Sequence, residues 1–452
     1  MKNHLKYLTK NLFSSVYVHE ATLMIVKFSN LILYKIFNRF IKQQINKYQY
    51  KIDEQGFYHN KILFLIPSLG VGGAERQLIN LINHLSNPST LKKFDKFEIV
   101  LVCFNHKTFS NEFYLSQLVH KIRIIDLSEG VGLKLIVKEI YKNKKYFWLG
   151  KNIIYFNRLQ DLIALEKPQI LHAWLDTPSI CGGIAGISNK VPNVILSTRS
   201  MNPSNFLSNR FYRKSVYQCL SYYKQITFLN NSIAGAISYE KWLGLKNGYI
   251  KVIRNGFEIN SFRAVHSYRL QKKESSKIII GGVMRLNYEK NIELWLNTAK
   301  ILSKKDHSIN FVIIGDGPEL SKVQRCIKKL ELTKIVELVK PTNNVYDHMS
   351  KFDVLLLTSR LEGLPNVLIE AQLLGIPVIS TDCGGASETF INGSSGILLN
   401  NFEPEFIAHS LFSLVNDREK LSKFSINATK QAAQYFDISI IAQQYVNIYN
   451  EI

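Results

Sequence analysis

The chain has 452 residues, 46% of them hydrophobic, enough for two or three ordinary domains with real cores. Lys and Arg number 57 against 35 Asp and Glu, a net charge of +22, which favours a polyanionic partner: nucleic acid, an anionic membrane surface or a phosphorylated substrate. The five cysteines are scattered and never spaced C-x-x-C, which argues against a disulfide framework or a zinc site and fits a reducing cytosol.

Residues 1–56 are basic and aromatic without strand alternation, and no stretch reads as a cleavable signal peptide. The apolar run from Ala21 to Ile41 has the length of a membrane span but is interrupted by Lys27, Lys35 and Arg39. On a helical wheel those cations gather with Asn30, Asn38 and Lys42, while Ile25, Val26, Ile32, Leu33, Ile36, Phe37 and Phe40 take the other side. Two readings stand: an amphipathic helix lying in a membrane interface, or a helix packed on its own protein or a partner with a solvated basic edge.

From residue 57 the pattern changes. KILFLIP (61–67) is a buried-strand pattern, followed by a glycine-rich turn and helical spacing at Leu78, Leu81, Ile82 and Leu85. Further strand candidates lie at 97–104, 122–127, 169–174, 193–199 and 226–230. A second series starts near Lys277, with strands at 277–283, 309–315, 335–339, 354–358, 377–381 and 396–399 and helical segments between them. Strands alternating with helices predict parallel sheets covered on both faces. The fold class is therefore α/β, two doubly wound Rossmann-like domains facing a cleft, with an N-terminal basic helical extension. The expected boundaries are 1–56 for the extension, 57–258 for the first Rossmann-like domain, 259–276 for a linker, 277–430 for the second and 431–452 for a helix packing back across the junction. In open parallel sheets, ligands bind beyond the carboxyl ends of the strands.

Four motifs fall there. In SLGVGGAER (68–76), Gly72 and Gly73 let the backbone approach a diphosphate or sugar at a helix N-terminus, or else simply make a tight turn. Arg285 and Lys290, after the strand IIIGGV, are suited to phosphate oxygens; a pair of surface charges is the alternative. In EGLPNVLIE (362–370), Glu362 precedes a glycine turn and Pro365 suits a helix start. The amides of Gly363, Leu364 and Asn366 can face an anionic or hydroxyl-rich ligand, and Glu370 can clasp a ribose diol. His172, in LHAWLDT, is a candidate for a sugar hydroxyl or a proton, although a lone histidine is more often structural. Arg199 is a candidate for acceptor recognition, with a structural ion pair as its equal rival. Asp316, in the turn GDGP, has no clear partner ligands, so no metal site is expected.

The segments VGGAERQL, IKVIRNGFE, GGVMRLNYEKNIELWL, IGDGPEL and SRLEGLPNVLIEAQLLGIPVISTDCGGASETFINGSSGILL resemble the retaining glycosyltransferases of the GT-B fold, family four (group 1), over about residues 60–450. The resemblance implies metal-independent transfer from a nucleotide sugar with retained anomeric configuration. It implies Arg285 and Lys290 on the donor phosphates, Glu362 on the donor sugar, Glu370 on the ribose, Gly72-Gly73 beside the diphosphate and acceptor, and His172 as the cleft histidine. Gly384, Gly385 and Glu388 would support the pocket. Lys340-Pro341 stands where many members have a glycine against the base, which leaves UDP and GDP both open.

The resulting expectation is a cytoplasmic hexosyltransferase, peripheral on the inner face of the membrane. It would act on a lipid-linked glycan or a cell-surface polysaccharide such as capsule or lipopolysaccharide. It would need no cofactor beyond its nucleotide-sugar substrate, and no nucleic-acid module is recognisable. The 1–56 extension and the basic, aromatic stretch 138–152 would face anionic lipid. A sugar-nucleotide epimerase of similar fold and a non-catalytic membrane scaffold are the rival readings.

Overall fold

The computed structural model describes residues 32, 34–46, 59–87, 97–105, 114–131, 152–206, 210, 212–272, 277–342 and 344–451. Short runs of apolar residues bounded by turns become strands, and those at the sheet centres are buried on both faces. In the first lobe these are β1 (His59–Ile66), β2 (Glu98–Cys103), β3 (Arg123–Asp126), β4 (Pro168–Trp174), β5 (Asn193–Ser197), β6 (Ile226–Asn230) and β7 (Lys251–Val252). They form one seven-stranded sheet in the order β3-β2-β1-β4-β5-β6-β7. The second lobe contains β8 (Ile278–Val283), β9 (Ile309–Ile314), β10 (Val336–Val339), β11 (Val354–Leu357), β12 (Val378–Thr381) and β13 (Gly396–Leu399), in the order β10-β9-β8-β11-β12-β13. The strand pairings within both sheets are parallel. Both sheets therefore reverse their winding at one point, between β1 and β4 and between β8 and β11, and such points open a crevice at the strand ends.

The chain crosses between lobes twice, and the crossings are tied together. Phe257 N–H donates to Phe436 C=O at 2.8 Å, and Ile438 N–H donates to Phe257 C=O at 2.9 Å. Beyond this point the Ile438–Asn450 helix, capped by Asp437 accepting from Ser439 N–H, returns to the first lobe. Ile441, Ala442, Tyr445, Val446 and Tyr449 enter the same core as β1, β4 and the Gly73–Leu85 helix. The segment expected to be a linker at 259–276 is largely the Ile259–Lys272 helix, and it packs on the second lobe. Phe262 is buried there, and Arg269 donates to the carbonyls of Gly375 (2.8 Å) and Phe352 (3.0 Å).

Residues 34–46 of the N-terminal extension form a helix. Phe37, Phe40 and Ile41 are buried in the first lobe's core, with Phe40 against Phe156 and Phe37 against Tyr212. Within these residues, then, Phe37 and Phe40 face their own protein. Lys35, Ile36, Arg39 and Lys42 remain exposed. No helix among the described residues is long and apolar enough to cross a membrane. The rest of the 21–41 run, apart from Ile32, and the 138–152 stretch, apart from Asn152, lie outside the described residues.

Truncating a buried phenyl ring costs about 3–5 kcal/mol. Phe37→Ala, at a ring only 1% exposed, should therefore lower unfolding stability in urea by about 3 kcal/mol. Ile36→Ala, at a side chain 52% exposed, should change it by less than about 0.5 kcal/mol. Equal effects of the two substitutions would mean that the helix is not docked in this way.

Candidate active site

The crevice is lined by loops that leave the strands at the two reversal points. After β1 comes the Gly72-Gly73 turn and its helix; after β8 comes Met284–Lys290; after β11 comes Thr358–Asn366. Arg285 is exposed, and among the described residues it forms no ion pair or side-chain hydrogen bond. The loop that carries it is packed closely against the GDGP turn. Leu286 N–H donates to Asp316 C=O at 2.8 Å, and a Cβ at Gly315 would lie 2.0 Å from Met284 C=O. The GDGP turn thus serves as the wall against which the arginine loop is laid.

Lys290 ends a short 3-10 turn, and its ammonium pairs with the Glu362 carboxylate. Ser359 Oγ donates to the same carboxylate at 2.7 Å. The Glu362 backbone is fixed as well, since its N–H donates to Cys383 C=O at 2.8 Å. Glu370 lies one helical turn into Asn366–Leu373 and is only 3% exposed. Its partner comes from the opposite lobe: Arg76, on the Gly73–Leu85 helix, pairs with it. Burial pushes the Glu370 carboxyl upward, and Arg76 opposes that shift by charge and hydrogen bond. Four of the expected residues, Arg285, Lys290, Glu362 and Glu370, thus border one crevice.

The glycines also serve contacts within and between the lobes. A Cβ at Gly73 would lie 2.9 Å from Asn366 Nδ2, which donates across the crevice to Gly73 C=O at 3.2 Å. A Cβ at Gly72 would meet the Glu75 carboxylate. A Cβ at Gly363 would lie 2.9 Å from Ser200 Cα and 3.0 Å from Arg199 C=O. Absence of a side chain at Gly73 and Gly363 allows the two lobes to touch. Leu364 is buried and its carbonyl accepts from Asn255 Nδ2 at 3.2 Å.

Two expectations require correction. His172 lies within β4, not beyond its end, and is 0% exposed. Its ring nitrogens are each 2.8 Å from a hydroxyl, Tyr449 Oη at Nδ1 and Ser197 Oγ at Nε2. Burial, then the charge of Arg199, hold it well below the usual histidine range, so it is neutral and sealed from the crevice. Arg199 is 8% exposed and committed to structure. Its guanidinium donates to Tyr445 Oη at 3.0 Å and to Asn255 Oδ1, and lies 4.0 Å over the Trp174 ring. Neither side chain is available to an acceptor.

Sequence reasoning gave no role to Arg76, Glu75 or Asn255. Asn255 joins the first lobe's Arg199 to Leu364 and Asn366 of the second. Glu388, expected to support the pocket, binds the N-terminus of the first-lobe helix Ile233–Leu243, accepting from the amides of Ile233 and Ala234 at 2.9 Å each. A carboxylate at that position is favoured by the helix dipole. Arg76 and Glu75 were visible as charges within the GGAER turn, but nothing local indicates what either one faces.

The geometry defines a class: two parallel α/β lobes apposed at their strand ends, with cations and acids at the crevice, the GT-B arrangement. Over 87% of this chain and 100% of the other, it superposes on the crystal structure of Anabaena Alr3699/HepE in complex with UDP and glucose, with a TM-score of 0.70 and 22% identity. Residues 268–431 match the family model of Glycosyl transferases group 1. The chain thus has the GT-B fold, and its second lobe is similar to the glycosyl transferases of group 1.

Among curated relatives, it is 26% identical over 363 residues to the Vi polysaccharide biosynthesis protein VipC/TviE of Salmonella typhi, covering 74% of this chain and 61% of that protein. It is 27% identical over 398 residues to the GalNAc-alpha-(1->4)-GalNAc-alpha-(1->3)-diNAcBac-PP-undecaprenol alpha-1,4-N-acetyl-D-galactosaminyltransferase of Campylobacter jejuni, covering 87% of this chain and 99% of that one.

Replacing His172 by Phe removes two hydrogen bonds from a buried network, a loss of about 1–3 kcal/mol at the usual net value for such bonds. Stability should fall accordingly, while the pH profile of turnover keeps its wild-type shape; a changed profile would return His172 to the chemistry. Glu75 offers a second test. Burial pushes its carboxyl up to about 7, against its own backbone hydrogen bond and Arg285. An acid raised from an ordinary 4.5 lends stability that is complete below about pH 4.5 and lost as pH rises through about 7. Glu75→Gln should therefore raise Tm relative to wild type more at about pH 8 than at about pH 5. A pH-independent difference would contradict it.

Proposed function

We propose that this enzyme moves a hexose from a nucleoside-diphosphate sugar to a lipid-linked glycan or a growing cell-surface polysaccharide, retaining the anomeric configuration and needing no metal ion. The observation that carries the reading is the convergence of Arg285, Lys290, Glu362 and Glu370 on one crevice. When a glycosyl–phosphate bond breaks, negative charge gathers on the departing diphosphate, and fixed cations stabilise it. Exposed Arg285 can grip phosphate oxygens as a fork, and Lys290 can add a compact charge once donor reaches its partner Glu362. Glu362 accepts from the donor sugar's hydroxyls and Glu370 from the ribose diol. The amides of Gly363, Leu364 and Asn366 lie at the start of the helix that carries Glu370, and Gly72-Gly73 bring the first lobe over the diphosphate. The acceptor hydroxyl attacks from the face the diphosphate leaves, and the leaving phosphate takes its proton.

The acceptor class is supported by the names of the Salmonella and Campylobacter relatives. The Anabaena structure makes a uridine nucleotide the first donor to test. We place the enzyme on the inner face of the cytoplasmic membrane. Lys35, Arg39 and Lys42, exposed on the docked 34–46 helix, would meet anionic lipid, each contributing about 1 kcal/mol.

Incubation with UDP- and GDP-sugars plus membrane extract should release nucleoside diphosphate and yield a glycolipid, with EDTA without effect and an unchanged anomer by NMR. Arg285→Ala and Lys290→Ala should each lower kcat/KM about 100-fold or more, as loss of one charge-stabilising group does elsewhere. The exposed Arg285 should be replaceable without loss of Tm. Full activity in both variants removes the assignment.

A further inference from the structure

Glu370 is buried on the second lobe, yet among the described residues its ion pair is with Arg76 of the first. Arg76 Nη1 donates to a second group of that same lobe, the Tyr346 hydroxyl, at 3.4 Å. Its Nε is buried and has no hydrogen-bond partner. The polar contacts of this side chain therefore lie across the crevice, not within its own lobe. Arg76 engages Oε1 of Glu370, and a carboxylate keeps further lone pairs on Oε2 for hydroxyl donors.

We propose that Arg76 is a positioning residue for nucleotide recognition: it keeps the Glu370 carboxylate ionised and aimed, so that ribose hydroxyls are read only when the first lobe is closed over the second. The proposal rests on the reading of Glu370 as the ribose contact.

An uncompensated carboxylate at such depth takes up a proton, and a protonated one offers a donor where the diol needs acceptors. The groups facing the pair are Tyr346 and Tyr114, with Glu75 close to Tyr114. Burial raises both phenols, so they stay neutral and cannot replace the guanidinium, and Glu75 has the wrong sign. Arg76 is the cation that faces Glu370 among the described residues. Opening the crevice would withdraw it, so closure and ribose recognition are one equilibrium seen from two sites.

The test uses the full chain and calorimetric binding of UDP and 2′-deoxy-UDP, or of GDP and 2′-deoxy-GDP if guanine is the base that wild type accepts. Wild type should prefer the ribonucleotide across the pH range. Glu370→Gln should lose that preference at every pH. Arg76→Met should lose it at the acid end of the range and regain it as pH rises, by about tenfold per unit until the carboxyl is ionised. Arg76→Lys should keep it, at lower affinity and with the wild-type pH profile.

If Arg76→Met weakens ribo- and deoxyribonucleotide equally and independently of pH, Arg76 is only a latch and the proposal is overturned. Should Arg76→Met not fold, a shifted pH profile in Arg76→Lys overturns it instead. Wild-type discrimination retained in Glu370→Gln, or no binding of either nucleotide to wild type, overturns the ribose reading itself, independently of Arg76.

Discussion

Acids held wholly or partly out of water where two lobes meet must find compensation, and in this protein that requirement organises the crevice. A carboxylate removed from water without a partner takes up a proton or destabilises the fold. Glu362 is compensated by Lys290 and Ser359 within its own lobe. Glu370 is compensated by Arg76, and Glu388 by two amides at a helix start, and both of those partners belong to the first lobe. The lobes therefore meet through charges and backbone dipoles. Contacts of this kind can be exchanged for the hydroxyls and phosphates of a ligand, which an apolar seam could not offer.

Topology decides which side chains reach that seam. Parallel strands direct their carboxyl ends to one edge, and the winding reverses between β1 and β4 and between β8 and β11. Residues in the loops just beyond those ends, Gly72, Gly73, Arg285, Lys290 and Glu362, line the crevice. A residue inside a strand is covered by helices on both faces, which is the fate of His172. Arg199 follows β5, one strand away from the reversal, and the returning C-terminal helix covers it through Tyr445. That helix also supplies Tyr449 to His172, so the last residues of the chain finish the first lobe's core.

Much of this was legible in the linear sequence. The strands of the second lobe follow from short apolar runs between helical patterns, because a strand buried on both faces needs continuous apolarity. Arg285, Lys290, Glu362 and Glu370 stood out because their spacing after such strands is local information. The helical character of 34–46 was also readable from its periodicity. What its apolar face packs against was not, because an amphipathic face looks the same whether it meets lipid or protein; here Phe37 and Phe40 meet Tyr212 and Phe156.

The sequence alone thus determined the elements, their alternation, the two-domain α/β class and the order of charged motifs after strands, since each depends on residues a few positions apart. Only the tertiary structure decided who faces whom. Arg76 and Glu370 are 294 positions apart, and His172 and Tyr449 are 277 apart. Glycine at 73 and 363 was needed because another chain segment lies within 3 Å of the missing side chain. Partnership over such separations is set by packing of whole layers, and local periodicity carries no record of it.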